Sequence, residues 1–328
     1  MAQLDPAKTL PSSSQDALEI FDERYILGLG AVQPQTWVDE LGEVHTTPAL
    51  TTEYPMTMLS LKYAETIAGE GRFKTLGEKM TPLTVVEYDD GVEVEMVKLC
   101  SNAFVARQWE NAPARMIQAE QQFKLKLIAD ALVANSLVCG WDDLSLFNDA
   151  HLSNPLIASS ATFDNLQATT KDVVSLANIE AEITLMLEVL DENGDILGVD
   201  PDTIIVPRQK YQGLKNLLKQ DFVPSTAGTA TMRNPYNSGE ITVVRADQLT
   251  DNNDWYLLDS KLISRGVVPW TVAKLSLPNP GFDELGLRRY DMSNSDRARQ
   301  KGVVGVSSHI YYGYRFLFPH AIRKIAGA

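Results

Sequence analysis

The longest apolar period in the chain runs through "NAPARMIQAEQQFKLKLIADALVANSLVCG", where Met116, Ala119, Phe123, Leu127, Ala131 and Leu132 recur at helical spacing. Asn111 suits the cap, Pro113 the first turn, and Gly140 follows the end. The stretch predicts a spine helix of about 26 residues, roughly 39 Å at 1.5 Å per residue. A second stripe, Ile179, Ile183, Met186, Leu187 and Leu190, predicts a helix capped by Asn178 and ended by Asn193-Gly194, with Glu180 and Glu182 at its positive end. Tyr211, Leu214, Leu217 and Leu218 predict a third, and shorter helices are expected over Ala17 to Leu27 and Met56 to Ala68, the latter stopped by Gly69 and Gly71.

Alternating stretches mark the strands. "LTVVEYDDGVEVEMVKL", residues 83 to 99, predicts a hairpin whose turn is Asp89-Asp90-Gly91, with Gly91 in a left-handed conformation. Tyr88 would then face Val92 and Val86 would face Val94, while Glu87 would oppose Glu93. Opposed carboxylates and a lone two-stranded ribbon are both unfavourable in water, so the hairpin needs another surface to lean on. "TIIVP" at 203–207, Ile241 to Val244, Trp255 to Leu258, Val267 to Leu277 and "HIYYGYRFLFP" complete the strands. Helices and strands mix without a β-α-β repeat, which makes the class α+β. The first fifty or so residues carry prolines and little period, and read as an arm.

Charge narrows the function. Forty-three acidic residues against 29 basic ones give a net charge of −14, which repels polyanions. Within that acidic chain, "LRRYDMSNSDRARQKG" gathers Arg288, Arg289, Arg297, Arg299 and Lys301. It is either a solvated face or a docking surface for an acidic element, and Glu87, Asp89, Asp90, Glu93 and Glu95 around Gly91 form such an element. Cys100 and Cys139 stand apart, without metal spacing or a disulfide framework. No signal peptide and no run of roughly 18 apolar residues is expected.

Candidate chemistry is sparse. "LDENGDILGVDPDTIIVP" imitates a calcium loop, yet Ile196 stands where the loop needs glycine and Asp202 where it needs glutamate, so a solvated acidic turn is expected. Asp142, Asp143, Asp149 and His151 offer a possible divalent-ion set, but lack a second histidine at ligand spacing. Ser307, Ser308 and His309 adjoin without a nucleophile elbow, and nucleotide motifs are absent. No catalytic residue, metal or cofactor is expected.

The order of motifs from 146 onward resembles tailed-bacteriophage major capsid proteins, notably the Mu-type major head subunit. Leu146, Phe147, His151 and Asn154 are followed by Pro201 to Pro207, the paired Leu217 and Leu218, Asn234-Pro235, Ile241 to Val244 and Trp255 to Leu257. The similarity covers roughly residues 110 to 325. It implies the tailed-phage major capsid fold: an N-terminal arm (1–55), a short helix with an extended β-hairpin loop (56–110), a peripheral domain with the spine helix (111–190), an axial domain (191–285) and C-terminal strands of the peripheral domain (286–328). It implies assembly of identical subunits into hexamers and pentamers of an icosahedral shell, which encloses phage DNA without binding it specifically. Portal and decoration proteins and a separate scaffold would be partners, with no membrane; the protein would reside in the virion after assembly in the host cytoplasm. An encapsulin-like compartment, which shares the fold, and a metal-dependent hydrolase using residues 142–151 are the alternatives.

Overall fold

The structure, a computed structural model, describes residues 10–30, 36–56, 79–157, 159–224, 231–276 and 287–327. The helix expected from Met56 to Ala68 lies outside the described residues, apart from Met56 itself, which ends a strand.

One long strand, Val303–Phe316, organises the first sheet. Along one edge it pairs antiparallel with Val86–Glu95; along the other it pairs with Leu287–Tyr290 and Trp270–Leu275, and Glu43–Thr47 lies parallel to the last of these. The second sheet runs Thr242–Ala246, Thr203–Pro207, Trp255–Leu258, Ile322–Ile325, Leu166–Gln167. Every residue of Thr203–Pro207 and Trp255–Leu258 is buried, as their unbroken apolar runs require of central strands. The chain's last strand leaves the first sheet's neighbourhood to pair with Trp255–Leu258.

The hairpin expected at 83–99 does not exist. Val86–Glu95 is a single extended strand that passes straight through Asp89-Asp90-Gly91, in register with residues 303–312 from Val303↔Glu95 to Tyr312↔Val86. A ladder of this length makes more backbone bonds than a local hairpin and never sets Glu87 against Glu93. Gly91 is required for close approach rather than for a turn: a Cβ there would lie 3.0 Å from the Ser307 Cβ and 3.1 Å from the Val306 carbonyl. The antiparallel ribbon lies earlier in the chain, where Thr51–Met56 pairs with Lys79–Thr84. Its base is fixed by Val85 N–H donating to the Leu50 carbonyl (2.8 Å), by Lys79 on Asp143, and by burial of Leu83 and Val85 against Ala273.

The spine helix is Ala103–Ala134, 32 residues or about 48 Å, and it starts before the predicted Asn111 cap. Asn102 caps it instead, accepting from Phe104 N–H at 2.9 Å. Pro113 therefore sits inside the helix and deletes the bond to the Trp109 carbonyl. Asn135 ends the helix in the left-handed conformation, φ 46°, ahead of the predicted Gly140. The first half of the spine packs on the helix Ser14–Gly30 and on the inner face of Val86–Glu95, around Phe21, Trp109 and Leu99. Its second half joins the main core with Trp255, Trp270 and Phe316. Three buried indoles donate to backbone carbonyls, Trp109 to Ala17 (2.8 Å), Trp255 to Lys171 (3.0 Å) and Trp270 to Val38 (3.2 Å).

The helix expected after Asn178 is Leu176–Leu187, capped at Ser175 and shorter than predicted. The acidic turn behind it is not simply solvated. Asp191 is 4% exposed and accepts from the Asn193 and Asp195 amides, while Asp202 accepts from Ser260 N–H and Oγ. Carboxylates spent on turn and cap amides are what the calcium-like spacing encodes.

Candidate functional site: the acidic strand and its neighbours

Alternation along Val86–Glu95 puts Glu87, Asp89, Gly91, Glu93 and Glu95 on the outer face, all exposed, and Asp90 on the other. Three of the outer-face carboxylates have side-chain partners within the chain. Glu87 accepts from His309 Nδ1 at 2.9 Å, and that bond, followed by one from Tyr311, holds its carboxyl below the usual range. Glu93 takes Arg297 Nη2 on both oxygens at 3.0 and 2.8 Å, and Glu95 pairs with Lys98 at 3.0 Å.

The basic segment is a strand, Leu287–Tyr290, a turn, and a short helix, Asp296–Lys301, started by Ser295 and ended by Gly302 at φ 64°. Its cations point in different directions. Arg289 grips Asp22 through Nε and Nη2 at 2.9 to 3.1 Å, joining the strand to the first helix. Arg288 lies over the Tyr290 ring at 5.2 Å, and Arg299 bonds Asp296 and the Met292 carbonyl. Lys301 is exposed in the helix's last turn. Of the residues expected from sequence to meet across an interface, the fold thus brings Glu93 and Arg297 together in one chain. Beside this pair opens a groove of about 480 Å³, lined among others by Asp89, Gly91, Glu93, Tyr290, Arg297 and Ser307. Asp22, Tyr290, Ser307 and His309 belong to this region and were not among the predicted residues; period-two spacing of Ser307 and His309 is the one local signal for them.

The possible divalent-ion set does not assemble. Asp143 is exposed on Lys79 at 2.8 Å, with φ 63°, and Asp149 is exposed. Only Asp142 and His151 meet, joined by Cys139, and the three ligand atoms lie within 4.8 Å of one another. Their donors and acceptors are spent on each other. Asp142 accepts from His151 Nδ1 (2.8 Å), Cys139 Sγ (3.1 Å) and the amides of Leu144 (3.3 Å) and Leu152 (3.1 Å); His151 Nε2 bonds the Leu146 carbonyl (3.0 Å). Burial pushes the Cys139 thiol up to about 12, where it is a poor ligand; burial alone would raise Asp142 too, but the bond and charge of His151 together with the bonds from Cys139 and Leu152 outweigh it and hold Asp142 down at about 2. The cluster is a folded clamp on the 139–152 loop. No helix among the described residues is long and apolar enough to cross a membrane.

Comparison with known proteins agrees with this picture of surfaces rather than a reaction centre. Residues 103–325, more than half of the chain, match a family described as phage capsid protein. Among solved structures, a chain of Microbacterium phage Oxtober96 superposes with a TM-score of 0.52 at 11% identity, covering 91% of this chain and 94% of that one. A chain from the capsid structure of the cyanophage P-SCSP1u gives 0.51 at 12% identity, covering 91% and 90%. Comparison with curated proteins finds no match. The spine helix, the two sheets and the early antiparallel ribbon are thus the fold of phage capsid subunits, and the chain belongs to the phage capsid protein family: it is a major capsid protein, a structural and non-enzymatic component of a phage's icosahedral shell.

Proposed function

We propose that copies of this chain join as hexamers and pentamers around packaged DNA, and that the acidic face of Val86–Glu95 meets the basic 288–301 segment of a neighbour. The observation that carries the reading is the charge layout on a family member: Glu87, Asp89, Glu93 and Glu95 share one exposed face in a chain that also carries five basic residues between 288 and 301. The internal Arg297–Glu93 pair is itself exposed, with side chains 65% and 48% accessible. Such a pair is worth about 0–1 kcal/mol, so exchanging an internal partner for a neighbour's costs little. On this reading residues 1–55 serve as an arm, 56–110 hold the extended loop, 111–190 and 286–328 build the peripheral domain and 191–285 the axial domain. The run of motifs from Leu146 to Leu257 supports a Mu-type head subunit.

A net charge of −14 suits an enclosure that must admit DNA without gripping it. Portal, scaffold and decoration proteins are the partners such a head requires, and assembly takes place in the host cytoplasm. Electron microscopy tests the proposal: the unaltered chain should give closed shells, and Glu87→Lys/Glu93→Lys/Glu95→Lys should give folded subunits that do not close. Normal shells from the triple variant would remove the acidic strand from the contact.

A further inference from the structure

We infer that Ser307 is an acylation site, a nucleophilic serine prepared by His309 and Glu87 to accept an acyl group from a small activated ester. Ser307 and His309 are two residues apart on one strand, so their side chains share a face. The register puts Glu87 opposite Tyr311 and Asp89 opposite His309, which leaves Glu87 diagonal to His309 on that same face. Glu87 Oε1 lies 2.9 Å from His309 Nδ1, and His309 Nε2 lies 3.2 Å from Ser307 Oγ. An ionised carboxylate can only accept, so Nδ1 carries the proton and Nε2 turns its lone pair to the Ser307 hydroxyl. Nucleophile, base and orienting acid in this sequence of contacts are the parts that acyl transfer requires. The bonds from His309 and Tyr311 that keep Glu87 ionised favour the arrangement.

Access is built into the strands. Gly91 stands directly opposite Ser307, and Gly305 precedes it on the same face; neither projects a side chain, and the groove opens there between Tyr290, Arg297, Asp89 and Glu93. Ser307 is 9% exposed at its floor. The facing titratable and charged groups are Glu87, Asp89 and Glu93 from the acidic strand, Tyr311 from its own strand, Arg288 and Tyr290 from the neighbouring one and Arg297 from the short helix.

In the transfer, Oγ attacks the carbonyl carbon and forms the C–O bond while its proton passes to His309 Nε2. The bond to the leaving oxygen then breaks, and that oxygen takes the proton from Nε2, giving acyl-Ser307 and an alcohol. Ser307 Oγ also donates to the Tyr290 hydroxyl at 3.3 Å in the resting state, so it turns its one proton to His309 Nε2 as it attacks. The strand's own amides are committed to ladders on both sides, so they supply no oxyanion hole. The activated ester's good leaving group helps acylation, whereas hydrolysis of the resulting serine ester has no such help, so the acyl group stays on as a covalent mark rather than a turnover intermediate.

The test treats the intact chain with p-nitrophenyl acetate and maps the acetyl group by peptide mass spectrometry. A burst on the order of one equivalent per chain is expected, placed on Ser307 and not on Ser308, whose side chain lines a groove on the sheet's other face. His309→Gln should slow labelling by about 100-fold or more. Glu87→Gln should flatten its pH profile, and Glu87→Asp should restore part of it. Acetylation scattered over lysines and Ser308 without preference for Ser307 would overturn the inference, as would an unchanged rate in His309→Gln. The Ser307-to-Ser308 ratio is read in the unsubstituted chain, so a variant that fails to fold does not leave the question open.

Discussion

Glu182 and Arg323 are both inaccessible, 0% and 1% exposed, and their pairing joins the helix Leu176–Leu187 to the last strand. Arg323 Nε donates to Glu182 Oε2 at 2.6 Å and Nη1 to the Asp164 carbonyl at 2.5 Å; Lys171 bonds the other Glu182 oxygen. Glu182→Gln keeps the side chain's volume and removes its charge, so Arg323 is left with Asp164 Oδ2 at 3.4 Å, half exposed to water. Breaking one member of a buried ion pair costs about 3–5 kcal/mol. At about 2.1 cal/mol/K per residue the unfolding entropy here is roughly 0.7 kcal/mol/K, so the melting temperature should fall by about 4–7 °C. Calorimetry on unassembled subunits near neutral pH measures it. Burial alone would raise the Glu182 pKa, but bonds from Lys171 and Arg323 outweigh it and the net shift is downward from 4.5. A depressed carboxylate stabilises the fold above its unfolded pKa and loses that contribution as pH falls through the folded value, so the gap between the two proteins should narrow in acid. The double variant Glu182→Met/Arg323→Met removes both charges and should recover most of the loss. An unchanged melt for Glu182→Gln, or a double variant worse than the single one, would refute the argument.

Burial, and secondarily the His151 charge, pull the pKa of His320 down to about 3. Because the unfolded chain takes up this proton near 6.5 and the folded chain does not, stability should fall by about 1.4 kcal/mol for each unit the pH drops from 6.5 towards 3; denaturation of His320→Phe across that range should lack this slope. Gly313→Ala places a Cβ 2.4 Å from the Thr84 carbonyl and should cost about 1–3 kcal/mol, seen as faster proteolysis near residues 79–85. Calorimetric titration with Zn²⁺ or Mg²⁺ should show no stoichiometric heat, since Asp142 already accepts four bonds; a single saturable site lost in Asp142→Asn would reverse that conclusion.

What could be read from the chain alone was whatever depends on near neighbours. "TIIVP" and "WYLL" are buried at every position and apolar at nearly all of them because both their faces are covered, and the Phe123 to Leu132 stripe announces one face of a helix. The start of the spine was hidden because Phe104 at 69% exposure and Arg107 break the stripe before Trp109, while Asn111 and Pro113 imitate a beginning. Asp89-Asp90-Gly91 carried the strongest local turn signal in the chain and was wrong, because the energy that decided it lies in a ladder to residues more than two hundred positions away. The same distance explains Glu182, which looked like a first-turn surface acid until Arg323, 141 residues later, was brought beside it.

The acidic strand shows how one register sets several properties at once. Side chains alternate with period two, so a slip of one residue against Val303–Phe316 would turn Glu87, Asp89 and Glu93 onto the spine helix and Tyr88, Val92 and Val94 into water. The inner apolar residues therefore fix the register, and the outer face inherits it: the line of carboxylates available to a neighbour, the Arg297–Glu93 pair, and the Glu87–His309–Ser307 chain of contacts all follow from Gly91 meeting Ser307. Gly91→Val tests that dependence. Its bulk would press on Ser307 and the Val306 carbonyl while leaving every charge in place, so reduced Ser307 labelling together with weakened shell closure would tie both to register. Loss of neither would separate the outer face from the packing beneath it.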